Sequence, residues 1–244
     1  MRTLRAIILA GGYAKRMGQL GDDLPKSLFP VAGRPAIEYI LDRLQEVPLV
    51  KVLLTTNLRF KSHFESWLTG KESHNIELVT EQSRSEQEKL GAVGALAQLA
   101  MQLEPDDYLV ICGDNIFKSS LCGMLSYYQQ KRRTVAAVYL QKSLEEVALG
   151  SAVTLGDGNR ILNFEEKPKH PKTRLTGACI YMLPFDSLLR TKEYLDQGEN
   201  RDEPGCFIAW LCKQEEVYAY MFDSYVWDLG TPHGYEETQR AFET

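Results

Sequence analysis

Apolar runs of strand length alternate with helical apolar faces through the first half of the chain, and this rhythm narrows the fold more than any other feature. Leu4 to Ala10 is apolar apart from Arg5 and stops at Gly11-Gly12, as a parallel strand covered on both faces does. Ile37, Ile40, Leu41 and Leu44 follow at helical spacing, with Pro35 near the first helical position. Val50 to Thr55 reads as a second strand, and Phe60, Phe64, Trp67 and Leu68 share a helical face. Ile76 to Thr80, then Leu96, Leu99, Ala100 and Leu103, then Tyr108 to Cys112 continue the pattern as strand, helix and strand. Such alternation implies right-handed βαβ crossovers, and hence an α/β fold with a mostly parallel, Rossmann-like sheet flanked by helices. Ligands of such sheets gather at the carboxyl ends of the strands, so chemistry is expected in the loops after Ala10 and Cys112.

The second half is mixed. Val135 to Leu140, Ser151 to Leu155, Ile161 to Glu165, Gly177 to Met182 and Val217 to Phe222 read as strands, with Asp157-Gly158 as a hairpin turn. Helices are expected near Phe185 to Tyr194, Phe207 to Cys212 and Glu236 to Phe242. No linker, repeat or low-complexity tract interrupts the chain. The expectation is therefore one domain over residues 1–244, with a parallel half at 1–130 and a mixed half at 131–244. A chain of 244 residues buries roughly 70–75% of its unfolded surface, so no disulfide or zinc staple is needed.

Composition removes several classes. The 28 Lys and Arg against 33 Asp and Glu leave a formal charge of −5, which argues against a nucleic-acid partner. The compact basic run Lys131-Arg132-Arg133 reads as a solvated helix end. No apolar run approaches the roughly 20 residues of a membrane span, and the opening MRTLRAIILAGG has only about six apolar residues before a charged loop, so it reads as a first strand rather than a signal peptide. Five cysteines without a C-x-x-C fit buried free thiols and a cytoplasmic location. His63, His74, His170 and His233 show no metal-ligand spacing, and no G-x-S-x-G or Cys/His arrangement points to covalent catalysis.

Leu9 to Gly33, LAGGYAKRMGQLGDDLPKSLFPVAG, is the most informative stretch. The strand end at Leu9 and Ala10 runs into Gly11 and Gly12, where missing Cβ atoms let backbone N–H groups approach an anion. Arg16 offers a planar fork and Lys26 a point charge from the same loop, so the stretch reads as a polyphosphate cradle. It is neither a Walker A loop nor a G-x-G-x-x-G fingerprint. CGDNIF puts Asp114 just past a buried strand, and VWDLGTPHGY puts Asp228 at another strand end. Each is either a magnesium ligand or turn chemistry. In NFEEKPKHPK, strand alternation sends either Glu165 or Glu166 into the cleft, and Pro168 ends the strand. In KLGAVGAL, Gly91 either opens a helix beside a flat ring or serves plain helix packing.

These motifs, in this order, resemble the sugar-1-phosphate nucleotidylyltransferases, whose signature is L-A-G-G-x-x-x-R-[LM] followed by P-K-x-[LM]-x-P-V-x-G-x-P. The resemblance runs from Leu4 to about Phe242, so a nucleotidyltransferase without the left-handed β-helix or helical tail of some relatives is expected. It implies Mg²⁺-dependent transfer of a nucleotidyl group from an NTP to a sugar-1-phosphate, releasing pyrophosphate. The implied catalytic residues are Arg16, Lys26, Asp114 and Asp228, with Asp114 and Asp228 holding the metal. Leu9, Ala10, Gly11, Gly12 and Gly91 are implied to bind the nucleotide in the first half. Gly150, Glu166, Lys167 and Thr176 are implied to bind the sugar phosphate in the second. CGDNIF and EEKPKHPK look most like short glucose-1-phosphate thymidylyltransferases, so dTTP with glucose-1-phosphate is the expected pair. KLGAVGAL looks more like guanylyl- and mixed-specificity members, which keeps guanylyl or uridylyl transfer to mannose-1-phosphate or another sugar open. The expected partners are these small molecules, with no nucleic acid or membrane, and a homo-oligomer left open.

The chain departs from the signature at Ala14-Lys15, where the family often has Gly-[ST]; Ala14 must avoid positive φ or accept strain. A glycosyltransferase would show Asp-x-Asp where this chain has Gly113-Asp114-Asn115, and a non-catalytic nucleotide-sugar sensor would have lost one of the four catalytic residues.

Overall fold

The computed structural model describes residues 2–71 and 75–243. Strand β1 (Leu4–Leu9) leads through a short helix α1 (Gln19–Asp23) and a two-strand hairpin, β2 (Pro30–Val31) and β3 (Arg34–Pro35), into α2 (Ala36–Leu44). Then come β4 (Leu49–Asn57), α3 (Lys61–Leu68), β5 (Ile76–Glu81), α4 (Ala92–Ala100) and β6 (Asp107–Cys112). After β7 (Asn115–Phe117) and α5 (Leu121–Lys131) follow β8 (Val135–Leu140), α6 (Leu144–Leu149), β9 (Ser151–Leu155) and β10 (Ile161–Glu166). The remainder is β11 (Leu175–Pro184), α7 (Phe185–Asp196), α8 (Pro204–Gln214), β12 (Tyr218–Met221), β13 (Val226–Asp228) and α9 (Pro232–Phe242).

Seven strands form the central sheet in the order β12-β8-β11-β6-β1-β4-β5. All neighbours are parallel except where β11 runs antiparallel to β6 and β8. The expected mostly parallel sheet is thus present, with strands of both halves in one layer. Alternation along each strand supplies the two faces. Ala6, Ile8, Leu109 and Ile111 pack with Ile40, Leu44, Phe64 and Met124 on one side, and Ile7, Leu9, Tyr108 and Val110 pack with Leu96, Leu188, Phe207 and Leu211 on the other.

Asp157 to Asn159 does turn the chain between β9 and β10, with Gly158 and Asn159 both at φ 62°. Helix α5 ends at Lys131, and Arg132 closes it in the left-handed region at φ 52°, as the basic run suggested. Helices α1 and α6 and strand β7 were not legible as periodic patterns, because each is too short to repeat. Tyr128 and Trp210 are core residues at 2% and 7% exposure, and Tyr127 packs half-buried against the core. The five cysteines are free. Among the described residues no helix is long and apolar enough to cross a membrane. His74, one of the four histidines weighed as metal ligands, lies outside the described residues.

The C-terminal helix fixes the first motif. Thr231 caps α9 by accepting from the Gly234 N–H, and Tyr235 and Gln239 both donate to the Pro30 carbonyl at 2.7 Å. Gln239 also accepts from the Ala32 N–H at 2.9 Å, and Phe29 packs edge-on against Tyr235. The residues that follow Lys26 are therefore tied down by a segment about 200 residues away.

Candidate active site

A cavity of about 380 Å³ opens across the carboxyl ends of β6, β1, β4 and β5, a size suited to a small ligand. Leu9, Ala10, Gly11 and Gly12 line it where β1 ends. The Gly11 carbonyl is turned aside to accept from the buried Asn57 side chain at 3.0 Å. At the other wall Gly91 caps α4 at φ 80°. A Cβ there would run into the Arg201 carbonyl and lie 2.6 Å from an Asp202 oxygen, so only glycine lets the 201–202 backbone close against this helix start. The Val93 N–H donates to the same Arg201 carbonyl at 2.9 Å.

The charged centre lies beside β1 and β6. Lys26 opens a short 3-10 turn after Pro25 and pairs with Asp114. Gly113 makes this approach sterically feasible: its N–H donates to the Leu9 carbonyl at 2.8 Å, and a Cβ would sit 2.6 Å from Ser27 Oγ. Asp228 arrives by register. β13 pairs antiparallel with β7, placing Asp228 opposite Asn115, and the Leu229 N–H donates to the Asp114 carbonyl at 3.0 Å. The Gly230 N–H then donates to Asp228 Oδ1 at 2.7 Å.

Electrostatics tie these groups together. The Asp228 carboxyl is raised above its ordinary value of 3.8 by loss of water and then by the like charge of Asp114, against the pull of Lys26 and Arg16. Burial acts to lower Lys26, but the charges of Asp114 and Asp228 outweigh it, and its pKa rises. Arg16 sits in the 3-10 turn Lys15–Met17 at the exposed rim, and its charge bears on both Lys26 and Asp228. The turn is entered through Ala14 at φ 51°, ψ 27°, so the backbone accepts the left-handed strain that an alanine incurs here.

Gly150, Glu166, Lys167 and Thr176 form a second group that does not line the cavity. The Lys167 N–H donates to the Gly150 carbonyl at 2.6 Å, and Ser151 Oγ lies 3.4 Å from Thr176 Oγ1. Glu166 faces inward while Glu165 is exposed, as alternation along β10 requires. Glu166 is held against Gly205, where any Cβ would collide with its carboxylate. Burial and then the Glu203 charge push its pKa up to about 7, against Lys167. Lys167, at φ 48°, pairs with Glu203 at the start of α8. Residues 202–205 join the two groups, since Asp202 and Pro204 line the cavity.

A divalent ion fits the charged centre by donor chemistry. Asp114 and Asp228 offer hard carboxylate oxygens, set side by side by the β7–β13 register. Among the described residues no cluster of three or more His, Cys, Asp or Glu could hold a metal alone. An ion here would take its remaining ligands from phosphate and water, as Mg²⁺ commonly does.

The fold thus brings Lys26, Asp114, Asp228 and Arg16 together, and separately Gly150, Glu166, Lys167 and Thr176. Sequence reasoning missed Thr55, Thr56, Ser27 and Asp202 in the cavity wall. The first two carried a signal, two threonines straight after the apolar run Val52-Leu53-Leu54; Asp202 carried none, because it reaches the site from a loop remote in sequence.

Comparison with known proteins bears on the family and the fold. The family described as nucleotidyl transferase matches residues 5–244. The bifunctional protein GlmU of Methanocaldococcus jannaschii is 28% identical over 230 residues, covering 93% of this chain and 51% of that protein. A glucose-1-phosphate adenylyltransferase of Lachnospira eligens is 26% identical over 253 residues, covering 97% of this chain and 59% of that one. The chain therefore spans between half and three-fifths of the length of these curated relatives. In three dimensions it resembles a Bacillus anthracis protein assigned as a glucose-1-phosphate thymidylyltransferase (TM-score 0.86, 19% identity, 99% and 96% of the two chains). It also resembles a UDP-glucose pyrophosphorylase complexed with UDP-glucose (TM-score 0.83, 21% identity, 98% of each chain). By the family match over nearly its whole length, the chain belongs to the nucleotidyl transferases.

Proposed function

We propose that this chain transfers a nucleotidyl group from a nucleoside triphosphate to a sugar-1-phosphate, releasing pyrophosphate. The observation that carries the reading is Lys26 paired with Asp114, both lining a cavity that Gly11, Gly12 and Gly91 also line, with Asp228 set beside Asp114 by strand register. Two polyanions must meet, so positioning and charge neutralisation are the main tasks. Residues 1–130 supply most of the nucleotide side and residues 131–244 the sugar side. Gly11 and Gly12 admit the phosphates close to the backbone, Gly91 flanks the nucleoside, and Arg16 and Lys26 grip the triphosphate. Lys167 holds the sugar phosphate, and Gly150, Glu166 and Thr176 shape the sugar pocket. The sugar-phosphate oxygen attacks the α-phosphorus in line with the departing pyrophosphate, and no covalent enzyme intermediate is needed. Asp114 and Asp228 would hold Mg²⁺, which supplies charge neutralisation between the phosphates when bound.

The motif resemblance puts dTTP with glucose-1-phosphate first, with guanylyl or uridylyl transfer to mannose-1-phosphate or another sugar-1-phosphate as the alternative. The five free thiols fit a cytoplasmic location. The test is magnesium-dependent pyrophosphate release, run with five nucleoside triphosphates against a panel of sugar-1-phosphates. Release with at least one pair is expected. No release with any pair would favour a nucleotide-sugar sensor and overturn the proposal.

A further inference from the structure

One carboxylate stands where the proposed reaction has to place a phosphate. Glu203 pairs with Lys167, the cation that the reading above gives to the sugar phosphate. Its backbone is anchored from several sides. The Asn200 side-chain oxygen accepts from the Asp202 and Glu203 N–H groups at 2.8 and 3.2 Å, and the Tyr194 hydroxyl donates to the Asn200 carbonyl at 2.8 Å. Asp202 pairs with Lys89 at 3.1 Å, and the Arg201 carbonyl accepts from the start of α4. The loop is held, so moving the Glu203 carboxylate off Lys167 needs only a side-chain rotation.

That side chain does nothing for its own helix. Glu203 is the N-cap of α8, a position where Ser, Thr, Asp or Asn ordinarily accepts from the first turn, yet it makes no capping bond. Burial and then the Glu203 charge raise the Glu166 pKa, so the carboxylate sits beside a like group, which costs stability once both ionise. Lys167 is fixed on the other side, at φ 48° with its N–H on the Gly150 carbonyl. Two anchored backbones thus hold one ion pair, and neither side chain is sealed from solvent. An anion arriving at Lys167 has to take the ammonium from Glu203, and a neutral sugar has nothing to offer in exchange.

We propose that Glu203 is a built-in competitor for the sugar phosphate: it occupies Lys167 in the free protein, yields only to an anionic ligand, and so sets the affinity and charge selectivity of the sugar side. This rests on the nucleotidyl-transfer reading, which gives Lys167 to the sugar phosphate. Once displaced, the carboxylate keeps a weaker partner, since the Cys206 thiol donates to it at 3.7 Å.

The test is calorimetric binding of glucose-1-phosphate, mannose-1-phosphate and glucose to the whole chain with magnesium, in wild type, Glu203→Gln and Glu203→Ser. Serine suits the N-cap of α8, so the second variant keeps the helix start if the first fails to fold. Both variants should bind the sugar phosphates about two- to five-fold more tightly than wild type, the range in which a partly exposed ion pair competes, and bind glucose no better. In a Lys167→Met background the same substitutions should give little gain, because no pair is left to break. A pH series separates this from a merely structural effect. Glu166 is bordered by Lys167, Glu203, Cys206 and Tyr181, and without the Glu203 charge it ionises earlier. The loss of sugar-phosphate affinity on acidification should therefore begin near pH 7 in wild type and at lower pH in Glu203→Gln. Unchanged or weaker binding of both sugar phosphates in both variants overturns the proposal, and so does binding of neither sugar phosphate to any of the proteins. The two proposals fail separately. Pyrophosphate release with some pair, but no gain in either variant, sinks the competitor and leaves nucleotidyl transfer standing; a gain without release from any pair does the reverse.

Discussion

Two lysine–carboxylate pairs mark the two groups of the site, and they are built differently. Lys26 and Asp114 meet with side chains only 17% and 21% exposed, between a turn pinned by α9 and the end of a central strand. Lys167 and Glu203 meet with side chains 53% and 28% exposed, on a hairpin end and a helix start. An ion pair is worth more, and is harder to move, as water is withdrawn from it. The first pair is therefore held in place, as the proposed catalytic role requires. The second is the looser contact, which in the proposed reaction an incoming phosphate would replace.

The largest expected effect falls on the less exposed pair and on Arg16, whose charge bears on it. Lys26→Ala, Asp114→Ala and Arg16→Ala should each lower kcat by about 10² to 10³, the usual loss of one aimed charge or donor. Steady-state pyrophosphate release measures this, and near-normal turnover in any one of them removes that residue from the machinery. Next comes the packing that makes the pair possible. Gly113→Ala places a Cβ on Ser27 Oγ and should destabilise the fold by about 1–3 kcal/mol, as overpacking does. An unchanged denaturation midpoint would show that the Ser27 turn gives way freely, and that the first pair is no more rigid than the second.

A smaller effect separates the groups by pH. Glu166 is pushed up to about 7 by burial and the Glu203 charge, so in the folded chain it ionises later than its ordinary 4.5. Its protonated form is favoured by folding; the stability it contributes is present below about 4.5 and is lost as pH rises through about 7. Glu166→Gln should therefore gain stability relative to wild type above pH 7 and little near pH 4.5. Activity should run the other way, with the KM for sugar phosphate rising below pH 7 as the acceptor is protonated. Identical pH profiles in both proteins would show that Glu166 does not titrate there. The smallest effect is Ala14→Gly, which relieves the left-handed φ of 51° and should add about 0.5–1 kcal/mol in thermal melting.

The legible part of the site was local. LAGG, CGD, EEKP and WDLG each showed their residues because each joins a strand to a polar turn within a few positions, and PKS because its proline marks a turn. Alternation likewise sent one of Glu165 and Glu166 inward, the resemblance pointed to Glu166, and the structure turns Glu166 in. Helix α6 escaped because six residues give less than two turns of periodicity. Asp202 and Glu203 escaped because nothing in ENRDEPG says that the loop lies across both binding groups.

By itself, the sequence determined the α/β class, the mostly parallel sheet and which short motifs end its strands, since these depend on hydrophobic period and on turn chemistry that act over a few residues. Only the tertiary structure decided that β13 pairs with β7 to set Asp228 beside Asp114, that α9 pins the Lys26 loop, and that Tyr13 meets Ser83 and Glu81. Those are contacts between residues as much as about 200 positions apart, fixed by strand register and side-chain packing, and neither can be read from a window of adjacent letters.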